Sequence, residues 1–259
     1  MKKSIVIVLM LLGGVAFSQG KKNDKQPAKP ETKTETPAST QAASPETAQA
    51  NNPAQQTSPF INHFLMKFNV AMRFNDSDVA KDALYDLLVE NPGNDSLFLD
   101  LAYMYYENQK YPSTILVSQE LMARNAKNTT AVELAASSFE ALGIKDKALQ
   151  HYETLYLQTN AYAALYKMAF LQYELKRFKE CDATCDILLS KKEGDDIKVT
   201  YPTAENKDKE YPIKVSVLNL KGMVAKDNGD KVNAKKFFDQ ALAISPDFQQ
   251  AKENLTSLK

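Results

Sequence analysis

Tryptophan is absent from the 259 residues, and only two cysteines, two histidines and eight glycines occur. Each scarcity removes a class of chemistry. Two cysteines cannot staple a disulfide-dependent scaffold, and a metal site would need ligands beyond them. Cys181 and Cys185 have three residues between them, one more than redox dithiols use, so they read as small buried hydrophobes of one helix. His63 and His151 lie far apart, with no acid or cysteine motif beside either to make a general base. There is no phosphate-binding glycine loop, zinc-protease helix or nucleophile elbow. The sequence therefore assigns no catalytic residue, cofactor or metal ligand, and the chain reads as a non-enzyme. Net charge is zero, with 32 lysines and arginines against 32 acids. Nothing in that balance marks a nucleic-acid partner, which needs a clustered basic face.

Large apolar residues are missing altogether from residues 19–58, a run of Lys, Pro, Glu, Thr, Ser, Ala, Gln and Asn. Such a stretch cannot bury enough surface to offset the entropy of ordering, so a disordered linker is expected there. Its five lysines, Lys21, Lys22, Lys25, Lys29 and Lys33, all fall in its first part. Ahead of it, Lys2 and Lys3 precede an apolar run from Ile5 to Leu12 and then Ala16-Phe17-Ser18. This reads as an export signal over residues 1–18, cut before Gln19, with a bacterial periplasm as the expected destination. Cleavage leaves no stable membrane insertion and frees the protein in the periplasm or outside the cell; an uncleaved run would tether it to the inner membrane. The apolar run is shorter than the ~20 residues that a membrane-spanning helix requires.

Residues 59–259 are helical in period. One stretch carries Leu218, Lys221-Gly222, Ala225, Gly229, Ala234, Phe238, Ala241 and Pro246. Its small-residue slots recur. The first-helix slot falls on Phe68, Ala102, Ala136, Ala169 and Gly222, and the second-helix slot on Ala80, Thr114, Ala148, Cys181 and Ala234. Both series keep gaps of 34, 34, 33 and 53 residues. A period of about 34 with this pattern resembles the tetratricopeptide repeat (TPR). The resemblance implies an all-α, right-handed solenoid of antiparallel helix pairs, five repeats near residues 61–94, 95–128, 129–160, 161–195 and 215–248. Lys221 stands where the family pattern has leucine. After Pro246, Phe248, Ala251, Leu255 and Leu258 form the stripe of a C-terminal capping helix.

The long last gap locates an insertion over residues 196–214. Ile197 to Pro202 alternates apolar and polar, as does Tyr211 to Val215, around a polar turn; this reads as a β-hairpin, with an irregular loop as the alternative. The hairpin would either cover the seam between repeats four and five or present a lip or open strand edge to a partner.

In the resembled family the first helices line a concave groove that holds protein segments. The corresponding stripe here is Asn69, Met72 and Arg73 in repeat one, Leu99, Tyr103, Tyr106 and Glu107 in repeat two, Glu133, Ser137 and Glu140 in repeat three, Tyr166, Phe170, Tyr173 and Glu174 in repeat four, and Asn219, Met223 and Lys226 in the last. Tyrosines supply contact area with a polar tip, with packing inside the bent array as the alternative for some of them, and the acids favour a partner bearing Lys or Arg. The carboxylate clamp of one family subtype is absent: its partner slots hold Leu65, Asp100, Thr130 and Leu134. The first helix is unusually apolar for a terminal repeat, with Phe60, Phe64 and Phe68 on one line and Met66, Val70 and Phe74 on another. Homo- or hetero-oligomerisation through it is a second expectation. The sequence thus predicts a protein- or peptide-binding scaffold of the cell envelope or, alternatively, a structural subunit of an envelope assembly.

Overall fold

The computed structural model describes residues 59–203 and 207–258. The expected export signal and polar linker lie outside these residues. Five helix pairs follow one another: α1 (Pro59–Arg73) with α2 (Ser77–Glu90), α3 (Asp95–Glu107) with α4 (Tyr111–Arg124), α5 (Thr129–Ala141) with α6 (Lys145–Thr159), α7 (Tyr162–Glu174) with α8 (Phe178–Ser190), and α9 (Ile213–Asp227) with α10 (Lys231–Ile244). A short α11 (Gln249–Thr256) closes the array. Each helix packs chiefly on the next, so the architecture is the all-α helix-pair solenoid that the spacing predicts.

The turn inside each pair is built the same way five times. Asn75, Gln109, Gly143, Lys176 and Gly229 all hold positive φ, between 53° and 81° with one further site at Asn160 included. The amide that follows each of them donates to a carbonyl five residues before it: Asp76 to Ala71, Lys110 to Tyr105, Ile144 to Phe139, Arg177 to Gln172 and Asp230 to Ala225, at 2.8–2.9 Å. This left-handed stop satisfies the last carbonyls of one helix and aims the chain back along it. Asp76 and Asp230 then cap the following helices, and Asn94 and Asn128 cap α3 and α5.

Where the paired helices cross, the small-residue slots are sealed. Ala80, Thr114, Ala148, Cys181 and Ala234 are fully buried, as are Ala102, Ala136 and Ala169. Cys181 Sγ donates to the Ala169 carbonyl at 3.2 Å, joining the two slots of one pair. At Gly222 the ring of Phe238 takes the space: a Cβ there would come within 2.3 Å of it. Both cysteines are free thiols in the core.

A 3-10 turn (Lys192–Asp195) leads into strands β1 (Lys198–Pro202) and β2 (Asp208–Pro212), which pair antiparallel with Val199 opposite Tyr211. The second strand lies earlier than the alternation indicates. Pro212 ends it, and Ile213 and Val215 belong to the first turn of α9, both buried. Proline's fixed φ suits entry into a helix, and a fully buried helix start is apolar on successive residues, which mimics a strand. Amide-to-carbonyl bonds from Ile213 to Ile197 and from Thr203 to Lys207 set the paired positions at odd numbers. The outward-facing backbone positions therefore include Pro202 on β1 and Pro212 on β2, which blunts both edges.

The hairpin packs on the array. Val199 and Tyr211 are buried, and Phe248 receives Tyr201 and Tyr211 edge-on at 5.2 and 5.0 Å between centroids. Lys209 pairs with Asp247 in the loop before α11. The insertion thus clasps α7, α9 and the start of α11 together.

The opposite end has no such cover. In the pairs after the first, the residues one register apart from Val70, namely Met104, Ser138, Leu171 and Val224, are buried. Val70 itself is 54% exposed, with Met66 at 68% and Phe74 at 75%. The outer face of α1 is an apolar stripe with no helix against it among the described residues.

Candidate functional site

The first helices of neighbouring pairs touch where α3 meets α5 and α7 meets α9, and Lys167 of α7 reaches Glu140 of α5; the exposed sides of these first helices are termed the inner face. Its residues fall into an open half and a closed half.

The open half runs over α1, α3 and α5. Asn69 and Arg73 are exposed on α1, and Tyr103 and Glu107 on α3. Tyr106 is half-buried, its ring edge-on to Tyr111 at 5.7 Å. Burial pushes its hydroxyl above the usual tyrosine range, and the nearby Glu140 and Glu133 push the same way against a hydrogen bond with Ser137. Ser137 Oγ shares a hydrogen bond with the Tyr152 hydroxyl at 3.2 Å, and that hydroxyl donates to Glu140 at 2.7 Å. Lys167 of α7 completes the group, donating to Glu140 at 2.9 Å. Glu140 is therefore held by the array rather than presented.

The closed half runs over α7, α9 and α11. Tyr166 is buried: its hydroxyl lies 2.8 Å from Ser216 Oγ and 3.3 Å from the Tyr201 hydroxyl, and Tyr201 lies 2.6 Å from Ser216. Phe170 packs against Tyr166 at 4.9 Å. Asn219 is buried too and accepts from Asn254 of α11 at 3.0 Å. Tyr173 donates to Asp227 at 2.7 Å, Glu174 pairs with Lys145 at 3.3 Å, and Lys226 donates to Ser257 at 2.6 Å. Of the stripe drawn from the sequence, Tyr166 and Asn219 are withdrawn from the open face, and Tyr173, Glu174 and Lys226 hold neighbouring helices together. The hairpin covers Tyr166 and α11 covers Asn219, and neither contact can be read from the repeat period.

Three exposed carboxylates on the open half stand out: Asp100 and Glu107 on α3, and Glu133 on α5. None is within ion-pair distance of a cation among the described residues, whereas Asp82, Asp86, Asp95, Glu120 and Glu140 nearby all are. Burial alone raises the Asp100 carboxyl above its ordinary value. Glu133 belongs to the sequence stripe, whereas Asp100 escapes it because the repeat register marks position and says nothing of which acids find a cation. Tyr85 and Tyr105 join hydroxyl to hydroxyl across the first and second pairs. Among the described residues no group of three His, Cys, Asp or Glu side chains is arranged to hold a metal ion. No helix there is long and apolar enough to cross a membrane.

No family profile and no curated protein matches the chain. Solved structures do match its shape. A tetratricopeptide repeat protein from Parabacteroides merdae superposes with a TM-score of 0.59 at 19% identity, covering 77% of this chain and 72% of its own. A structure of MamA gives 0.57 at 15% identity, covering 72% and 92%. YrrB, described as a TPR protein with an unusual peptide-binding site, gives 0.58 at 13% identity, covering 76% and 90%. At such identities the likeness establishes the fold, and the fold is the TPR solenoid.

Proposed function

We propose that this chain is a non-catalytic scaffold of the bacterial cell envelope that holds a protein or peptide segment on the inner face of its TPR solenoid. The observation that carries the reading is the division of that face. Asn69, Arg73, Tyr103 and Glu107, with Asp100, Glu133 and the half-buried Tyr106, are accessible over α1, α3 and α5, while Tyr166 and Asn219 of the α7–α9 half are taken up by the array's own contacts. Exposed tyrosine beside unpaired acid offers contact area and directional hydrogen bonding. The TPR fold and the peptide-binding site ascribed to YrrB point the same way. Export rests on the reading of residues 1–18.

The test is recovery of envelope proteins by the tagged chain and by a Tyr103→Ala/Tyr106→Ala variant. The wild type should retain a segment that the variant loses, with melting temperature nearly unchanged. Equal recovery by both would remove the inner face as the site.

A second reading has its own observation. The apolar stripe of Met66, Val70 and Phe74 supports a structural subunit docked into an assembly through α1. Met66→Glu/Val70→Glu should then release the chain from a fixed-stoichiometry complex while leaving inner-face binding intact.

A further inference from the structure

We infer that the chain carries its own occupant for the open inner face: the lysine-bearing stretch 21–33, lying along α3 and α5. The inference rests on the inner face being a binding surface, and it names the class of segment that fits: extended, proline-containing and rich in lysine.

Three observations meet here. The first is chemical. Asp100, Glu107 and Glu133 have no cation among the described residues, although ion pairs occupy the acids around them. Tyr103 stands between Asp100 and Glu107 on one line of α3, 45% exposed. A lysine laid on that line meets a carboxylate with its ammonium group and a tyrosine face with its stem. The second is the occupant. Residues 21–33 carry five lysines against two acids, Asp24 and Glu31, and no large apolar side chain. Pro27 and Pro30 favour an extended backbone, which leaves backbone amides and lysines free to face a groove.

The third is reach. Twenty-five residues separate Lys33 from Pro59, where α1 begins. A flexible linker of that length spans about 30 Å on average. Packed helices stand about 10 Å apart, so α3 and α5 lie within that radius of α1. Tethering gives a local concentration of the millimolar order, so contacts too weak to hold a free peptide suffice within one chain. An external segment must then displace the tail, and affinity for it is reduced by the fraction of time the tail is bound.

The experiment uses the full chain, a tail variant in which Lys21, Lys22, Lys25, Lys29 and Lys33 are all changed to Gln, and a face variant Asp100→Asn/Glu107→Gln/Glu133→Gln. A carbodiimide joins touching lysines and carboxylates, and mass spectrometry maps the products. The expected result is intrachain links from residues 21–33 to Asp100, Glu107 and Glu133, abolished in the face variant and lost when salt rises from about 10 mM to 500 mM. A labelled peptide of residues 19–35 and a scrambled version are then titrated onto each chain. Both should bind the tail variant roughly tenfold more tightly than the unmodified chain, and neither should bind the face variant.

Links spread evenly over other exposed acids, such as Glu90 and Glu193, would overturn the inference. So would links found only between differently isotope-labelled copies, which would make a second copy the occupant. Equal peptide affinity for the unmodified chain and the tail variant shows a working face without self-occupancy. Failure of both peptides to bind any form removes the face itself, and with it the reading on which the inference rests.

Discussion

The hydroxyls of Tyr166 and Ser216, on α7 and α9, lie 2.8 Å apart and fully inside the protein, with Tyr201 of the hairpin bonded to the same serine. Three hydroxyls from three elements satisfy one another where repeat four meets repeat five. Ser216→Ala leaves two buried hydroxyls with only their 3.3 Å contact. It should cost about 1–3 kcal/mol, read as a fall of several degrees in melting temperature. Tyr103→Phe, at an exposed hydroxyl, should leave the melting temperature unchanged within error. Replacing residues 200–212 by a short Gly-Ser turn should destabilise the C-terminal repeat further, since Phe248 then loses both of its ring partners.

The five repeated turns give a prediction about backbone alone. Gly143 and Gly229 hold φ of 70° and 81°, and a Cβ at either meets nothing within 4 Å. Gly229→Ala should therefore cost about 1–2 kcal/mol purely through left-handed strain. Gly93→Ala, with open space and no positive φ, should be neutral. In the reverse direction, Lys176→Gly should be neutral to stabilising, because lysine already bears that strain at φ 59°. Urea denaturation of the three variants separates these outcomes.

Lys221 occupies a slot where the TPR pattern has leucine, and its side chain is 5% exposed. Burial works against its charge, but the hydrogen bonds it donates to Asp186 and Asp182 outweigh burial and hold its pKa above the ordinary value. The ammonium group lies 2.9 Å from Asp182 and 2.5 Å from Asp186. Lys221→Leu should be neutral or stabilising, since an apolar replacement removes the desolvation cost together with the pair. Asp182→Asn/Asp186→Asn keeps the buried charge and removes its partners, so it should destabilise more than Lys221→Leu. The reverse order of melting temperatures would show that the ion pair itself contributes net stability.

Tyrosine burial sets an alkaline limit. Burial is the main reason that the Tyr162 and Tyr105 hydroxyls are pushed up to about 12 from an ordinary 10.0. The unfolded chain releases these protons first, so their stabilising contribution is complete below pH 10 and is lost as pH rises from about 10 to about 12. Tyr162 also donates to the Leu188 carbonyl at 3.1 Å. Tyr162→Phe should lower stability at pH 8 and flatten the decline above pH 10. A decline of unchanged steepness would exclude Tyr162 as a contributor.

Much of this architecture is legible in the sequence because one physical requirement repeats. Close helix crossings demand small residues, and the slots Ala80, Thr114, Ala148, Cys181 and Ala234 mark them at a fixed period. The turns add a third series, Asn75, Gln109, Gly143, Lys176 and Gly229, with the same spacing. Only two of its members are glycine, which hides the series from a search for turn residues. The site is less legible. Tyr166 and Asn219 sit on the predicted stripe, but the hairpin and α11 cover them, and such long-range cover leaves no periodic trace. The start of α9 was hidden for a related reason: Ile213 and Val215 are apolar because everything around them is buried, not because they alternate in a strand.

The hairpin clasp and the bare flank of α1 make the two ends of the array mechanically unequal. Helices are held mainly by their immediate neighbours, so tension travels through the chain largely one interface at a time. A pull at Pro59 reaches α1 first, which packs chiefly on α2 and leaves its other flank bare. That helix peels away before any other. A pull at the far end must break two ring contacts on Phe248, the Lys209–Asp247 ion pair and the Asn254–Asn219 hydrogen bond before α11 gives way. The protein is thus built to yield first at its α1 end.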